Sequence, residues 1–195
     1  MPRNMTPLQT AVIAILDRAP AYEWSVQGLG MLRLYIRDIG RIHIWDARLR
    51  YPGVTLCHTH SWDLESTIVF GRIINERYKE VVEGLGTCVP EPFWRKRIQC
   101  GYTFVETEPD QKVMLGMASY ENYYRPGDTY TQTANEIHRN LPDDGTVTLI
   151  QHQHDGENGE AFVYWPVGAQ YGNAKPRPAT PAEVKQTMDL VLSRL

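Results

Sequence analysis

The sequence predicts a mainly antiparallel β-sandwich or β-barrel with one α-helix at each end. Three observations carry that expectation: helical spacing of apolar residues occurs only near the two termini, about eight segments between them are rich in β-branched and aromatic residues, and no helical crossover separates those segments. Parallel strands would need such crossovers, so the strands should run antiparallel.

From Thr6 onward, Leu8, Val12, Ile15 and Leu16 recur at helical spacing, with Thr6 placed to cap the first turn and Pro20 beyond the last. This defines a helix over 6–19. At the far end Thr180 precedes Pro181, and Val184, Met188, Val191 and Leu192 form an apolar stripe, giving a second helix over 180–194. The strands between them read as 31–36, 41–49, 54–60, 66–74, 97–106, 113–120, 147–152 and 161–165, most of them bounded by Gly, Pro, Asp or Asn. The stretch 79–92 reads as an excursion from a barrel that occupies about 31–165.

The 195 residues suit a single domain spanning 1–195, with 42% apolar and 22% charged residues, the usage of an ordered globular chain. A formal charge of −3 and the lack of any Lys/Arg run interleaved with aromatics argue against nucleic acid as a partner. Cys57, Cys88 and Cys100 are odd in number and show no CxxC spacing, which excludes a thiolate zinc site and fits a reducing, cytoplasmic setting. No apolar run approaches the roughly 20 residues of a membrane span, and the N-terminus shows no export signal. A small-molecule substrate is the expected partner, with a homodimer as the default assembly.

Chemistry concentrates at one strand end. Val54, Leu56, His58 and His60 share a parity, so on an extended strand two imidazoles point to the face that the apolar pair turns inward. Two rings at i and i+2 can share one ion if a third ligand converges on them. His152 and His154 repeat the spacing at a strand end before a Gly/Asn/Asp turn, so the spacing alone is not diagnostic; they read as a solvated strand end or as one residue at a pocket mouth. Of the remaining histidines His138 is best placed to converge, and it otherwise reads as the cap of a turn.

The surroundings of the first pair resemble the cupin superfamily, whose first motif reads G-x5-H-x-H, three or four residues, E, x6 and G. Gly53, His58, His60, Glu65 and Gly71 match it, with the Gly53–His58 and Glu65–Gly71 spacings each one residue short. The second motif, G-x5-P-x-G-x2-H-x3-N, is met by Gly127 and His138, while Thr133, Asn135 and Pro142 stand at its Pro, Gly and Asn positions. Asn tolerates the positive φ that the turn asks of a Gly. The resemblance implies a jelly-roll barrel holding one divalent metal ion on His58, His60, His138 and Glu65, with Asp63 the competing carboxylate and a site of three histidines alone a further arrangement.

Such a site leaves coordination positions open, which suits catalysis; its donors do not choose among iron, manganese, nickel, copper and zinc, and the resemblance implies iron first. The expected activity is that of a mononuclear non-haem iron dioxygenase acting on a small polar or carboxylated molecule. A non-redox isomerase or hydrolase, or a ligand-binding barrel without turnover, are the alternatives. Trp62 as an aromatic wall, Arg72 as a carboxylate anchor and Tyr130 as a hydroxyl donor are the candidate substrate-binding residues. His43 and Trp45 share one face of a nearby strand, as core residues or as groups supporting the ligands.

Overall fold

Two antiparallel sheets and two helices make up the computed structural model, which describes residues 5–55, 57–82, 90–99, 105–106, 110–154, 160–172 and 175–195. The strands are β1 (Ser25–Gln27), β2 (Leu29–Ile36), β3 (Gly40–Arg50), β4 (Cys57–His58), β5 (Asp63–Phe70), β6 (Ile73–Glu80), β7 (Glu91–Gln99), β8 (Val105–Glu106), β9 (Gln111–Tyr124), β10 (Thr129–Gln132), β11 (Ile137–Pro142), β12 (Val147–His154), β13 (Glu160–Pro166) and β14 (Arg177–Pro178). The first sheet runs β10-β5-β12-β3-β2-β1-β14, and the second runs β13-β4-β11-β6-β9-β7-β8. β13 also pairs with β7, which closes six strands of the second sheet into a barrel.

The helices α1 (Pro7–Leu16) and α2 (Pro181–Leu192) begin where the sequence places them. At each start a threonine and the side chain three residues on form a reciprocal cap. The Gln9 backbone N–H donates to Thr6 Oγ1 at 3.2 Å, and the Thr6 N–H donates to Gln9 Oε1 at 2.9 Å. Thr180 and Glu183 repeat the arrangement at α2. α1 ends earlier than expected, because the chain turns into a 3₁₀ segment at Ala19–Ala21 around Pro20.

Strand alternation decides what each sheet face does. In β2, β3 and β12 the residues Leu32, Leu34, Ile42, Ile44, Val147 and Leu149 turn to the helices and pack against Val12, Leu16, Val184, Met188 and Val191. Their neighbours Met31, Trp45 and Ile150 turn the other way, into the space between the sheets, with Leu64, Ile68 and Tyr130. A third apolar cluster of Cys57, Phe93, Leu115, Ile137 and Tyr164 fills the far side of the second sheet. Burial there pushes the Cys57 thiol up to about 12, so it is an inert packing group; Cys88 and Cys100 lie outside the described residues.

Several sequence expectations change in detail. The segment 66–74 is two strands, β5 and β6, joined by a turn at Gly71 and Arg72. Gly71 sits at φ +79° against Thr146, where any Cβ would collide, so the turn requires glycine. The expected strand 54–60 reduces to β4, and β10 and β11 add two strands to the expected set. The excursion at 79–92 joins β6 to β7, and its residues 83–89 lie outside the described residues. Among the described residues no helix is long and apolar enough to cross a membrane.

α2 is held to the sheet by ionic contacts as well as apolar ones. Arg177 of β14 makes a two-pronged ion pair with Glu183, and buried Asp46 of β3 accepts from Thr187 at 2.8 Å. The Arg177 guanidinium and the Thr180 cap hold the Glu183 carboxyl down at about 2. A carboxyl depressed in the fold stabilises it at every pH above its ordinary value near 4.5, and that contribution is lost as pH falls toward 2. Glu183→Gln should therefore lower the melting temperature at pH 7 and differ progressively less from the parent chain between pH 5 and pH 2, as read by thermal unfolding.

Candidate metal centre and cavity

β4 and β11 lie side by side in antiparallel register, with His58 opposite His138 and Cys57 opposite Arg139. Alternation sends Cys57 and Ile137 into the far cluster and leaves His58 and His138 on the face toward the first sheet. His60 lies just beyond β4, where two anchors hold the chain. The Asn135 N–H donates to the His60 carbonyl at 2.9 Å, and Thr59 exchanges hydrogen bonds with the Phe162 backbone at 2.8 Å. Asn135 itself sits at φ +65°, so the residue standing at the motif's glycine position adopts the conformation a glycine would.

The three imidazoles converge. Ring centroids of His58, His60 and His138 are 4.7 to 5.1 Å apart, and one nitrogen from each lies within 4.8 Å of the others. Nε2 of His60 and Nε2 of His138 face each other at 3.0 Å. Two imidazoles bound at right angles to one ion, each about 2.1 Å from it, would be separated by about 3 Å. The geometry suits a shared divalent cation.

A chain of buried amides sets the proton on His138. Gln132 Nε2 donates to the Glu136 carbonyl, Asn75 Nδ2 donates to Gln132 Oε1, and Asn75 Oδ1 is thereby turned toward His138 Nδ1 at 3.2 Å. An amide oxygen only accepts, so Nδ1 carries the hydrogen and the Nε2 lone pair faces the other two rings. Asn75 and Gln132 are fully buried, and nothing in the sequence pattern marks them, since neither belongs to a histidine motif. Burial, and then the charge of neighbouring histidines, pushes His60 and His138 well below the usual histidine range. Both are neutral at pH 7, the form that binds a cation.

The carboxylates are placed elsewhere. β5 turns Leu64 and Ile68 inward, so Glu65, of opposite parity, lies on the other face with Thr67 and Val69, and it is not part of the converging group. Asp63 is engaged by the turn before β11, where its Oδ1 accepts the Ala134 N–H at 2.6 Å. Among the described residues the structure thus brings together three histidines without a carboxylate.

The rings open into a cavity of about 720 Å³ between the sheets. Trp62 lines it, 5.0 Å from the His60 ring, and so does buried Tyr130, whose hydroxyl pairs with Asn140. Arg72 does not line it; it is half-exposed on the β5–β6 turn, paired with Asp143. His43 and Trp45 both line the cavity from β3, together with Arg41, a residue that the sequence reading passed over although it shares their parity. His152 and His154 end β12 opposite Leu64 and Asp63, and their side chains lie outside the described residues.

Comparison with protein-family models, with curated proteins and with solved structures found no match. The antiparallel barrel with three close histidines is compatible with a cupin-like metal-binding barrel.

Asn75→Leu keeps bulk in the buried site but frees the His138 ring. It should weaken metal affinity by about 10- to 100-fold, measured by chelator competition, while the chain stays folded.

Proposed function

We propose that the chain is a cupin-like enzyme that holds one divalent metal ion on His58, His60 and His138 and acts on a small molecule in the adjoining cavity. The observation that carries this reading is the convergence of three imidazoles, one of them with its tautomer set by an amide, at the wall of a cavity large enough for a substrate. A structural ion is normally enclosed by four protein ligands, whereas three leave positions for substrate.

Iron is the metal of first choice, and the reaction of first choice is dioxygenation, in which the bound ion supplies positions for both substrate and dioxygen. The chain's own groups would do the remaining work. Trp62 and the apolar residues Met31, Leu64 and Ile150 exclude water, and Tyr130 presents a hydroxyl already oriented by Asn140. Non-redox catalysis at the same ion, as an isomerase or hydrolase, uses the same donors.

Elemental analysis of purified protein should find about one divalent ion per chain. That content should fall sharply in a His58→Ala, His138→Ala double variant and persist in Glu65→Gln; metal retained by the double variant would refute the site. Iron-loaded protein should consume O2 with at least one member of a panel of small carboxylic and enolic compounds. Silence across the panel would count against dioxygenation and leave the ion assignment untouched.

A further inference from the structure

One wall of the cavity is polar without being satisfied. Arg41, His43 and Trp45 alternate inward along β3, and Thr148 lies opposite His43 on β12. Their exposures are 9%, 9%, 5% and 1%, so all four are buried. Arg41 Nε, His43 Nε2, Trp45 Nε1 and Thr148 Oγ1 each lack a hydrogen-bond partner. Buried polar atoms are ordinarily paired, because an unpaired one costs about 1 to 3 kcal/mol. All four residues line one cavity, so small side-chain rotations would present these groups to something that enters it.

Their chemistry says what enters. Arg41 and Trp45 can only donate, and Thr148 and His43 can donate as well. The cavity lining includes Arg33, Arg41 and Lys175 but, among the described residues, no aspartate or glutamate. Among the described residues Arg41 makes no ion pair; one terminal nitrogen donates to the Tyr35 hydroxyl at 3.5 Å, and its guanidinium lies over Trp62 at 4.3 Å and over Tyr35 at 5.5 Å, with Arg33 over the same Tyr35 ring at 5.1 Å. A buried arginine without a carboxylate is costly unless a ligand brings the negative charge. Trp62 bridges the two halves of the cavity, touching Arg41 on one side and His60 on the other.

We propose that Arg41, Trp45, Thr148 and His43 form a carboxylate-binding subsite, and that the ligand of this cavity is a small carboxylic acid whose carboxylate lies on this wall and whose remainder reaches toward His58, His60 and His138. Arg41 is the anchor, since a guanidinium grips a carboxylate through two parallel N–H donors. The proposal rests on the reading of the cavity as a substrate site, but the anion subsite is testable without the ion.

The test uses the full chain after chelator treatment, titrated calorimetrically with 3-phenylpropionate and with its neutral amide, 3-phenylpropionamide. The acid should bind at least tenfold more tightly than the amide. Arg41→Met should abolish that preference by weakening the acid far more than the amide, and Trp45→Phe, which deletes the indole N–H and keeps an aromatic ring, should weaken the acid by a few-fold. If Arg41→Met fails to fold, Trp45→Phe and Thr148→Val decide the matter. Equal binding of acid and amide, or a preference untouched in these variants, overturns the subsite. Metal content measured on the same preparations before chelation keeps the two readings apart: a chain that selects the acid but purifies without metal loses the ion assignment and retains the subsite.

Discussion

The site depends on the pairing of β4 with β11, a contact of only two residues on each strand. β4 is too short to be held by its own ladder, and His60 lies beyond its end. The pairing is stabilised from both sides. β13 flanks β4 on its other edge, Thr59 is bonded to Phe162, and the turn through Asn135 caps the His60 carbonyl. Three residues from two distant parts of the chain can point their rings at one place because the backbone around each is fully bonded. Rotating either strand by one residue would exchange His58 with Cys57 and His138 with Ile137, placing thiol and aliphatic groups at the cavity and imidazoles in an apolar cluster. Such a register is heavily penalised by the burial of unpaired rings.

The same alternation organises the opposite wall. β2, β3 and β12 each give one face to the helices and one to the cavity, so the apolar layer that fixes the sheet and the polar layer that faces the ligand are cut from the same strands. Ile42 and Ile44 are fully buried against the helices, and they hold β3 in place while Arg41, His43 and Trp45 stand on its other side. The helices are therefore structural parts of the cavity although none of their residues reaches it. The ion pair of Arg177 with Glu183 and the Asp46–Thr187 bond act at the same joint.

Much of this was legible in the chain itself. Both helix starts could be read from Thr6 and Thr180 because capping is local chemistry, and the imidazole pair could be read from strand parity for the same reason. The resemblance to a known barrel pointed to His138, which periodicity alone would have left as a turn residue. Glu65 shows where motif spacing is insufficient: its spacing from His60 fits the pattern, yet one residue of parity on β5 decides whether a side chain enters the cavity or leaves it. Arg72 failed to reach the cavity because Asp143, distant in sequence, pairs with it at the surface. Asn75 and Gln132 were invisible because their role is relational. An amide matters there only because the fold pairs β6 with β11 and brings Gln132, at the end of β10, to Asn75, and no local pattern announces that adjacency.

Charge connects the two walls. A carboxylate ligand would reduce the charge of a bound divalent ion, whereas imidazole ligands bring no negative charge to offset it. The cavity adds positive side chains to that and no acidic ones among the described residues. Glu65, had it turned inward, would have neutralised part of this field and competed with any incoming anion for the same cation. Its position on the outer face of β5 instead leaves the cavity electropositive from the histidines to Arg41, and a low-dielectric enclosure strengthens that field. The absence of a carboxylate among the described residues of the cavity and the Arg41 guanidinium without an ion-pair partner among them are thus two sides of one arrangement, and the proposed carboxylate ligand would supply the negative charge.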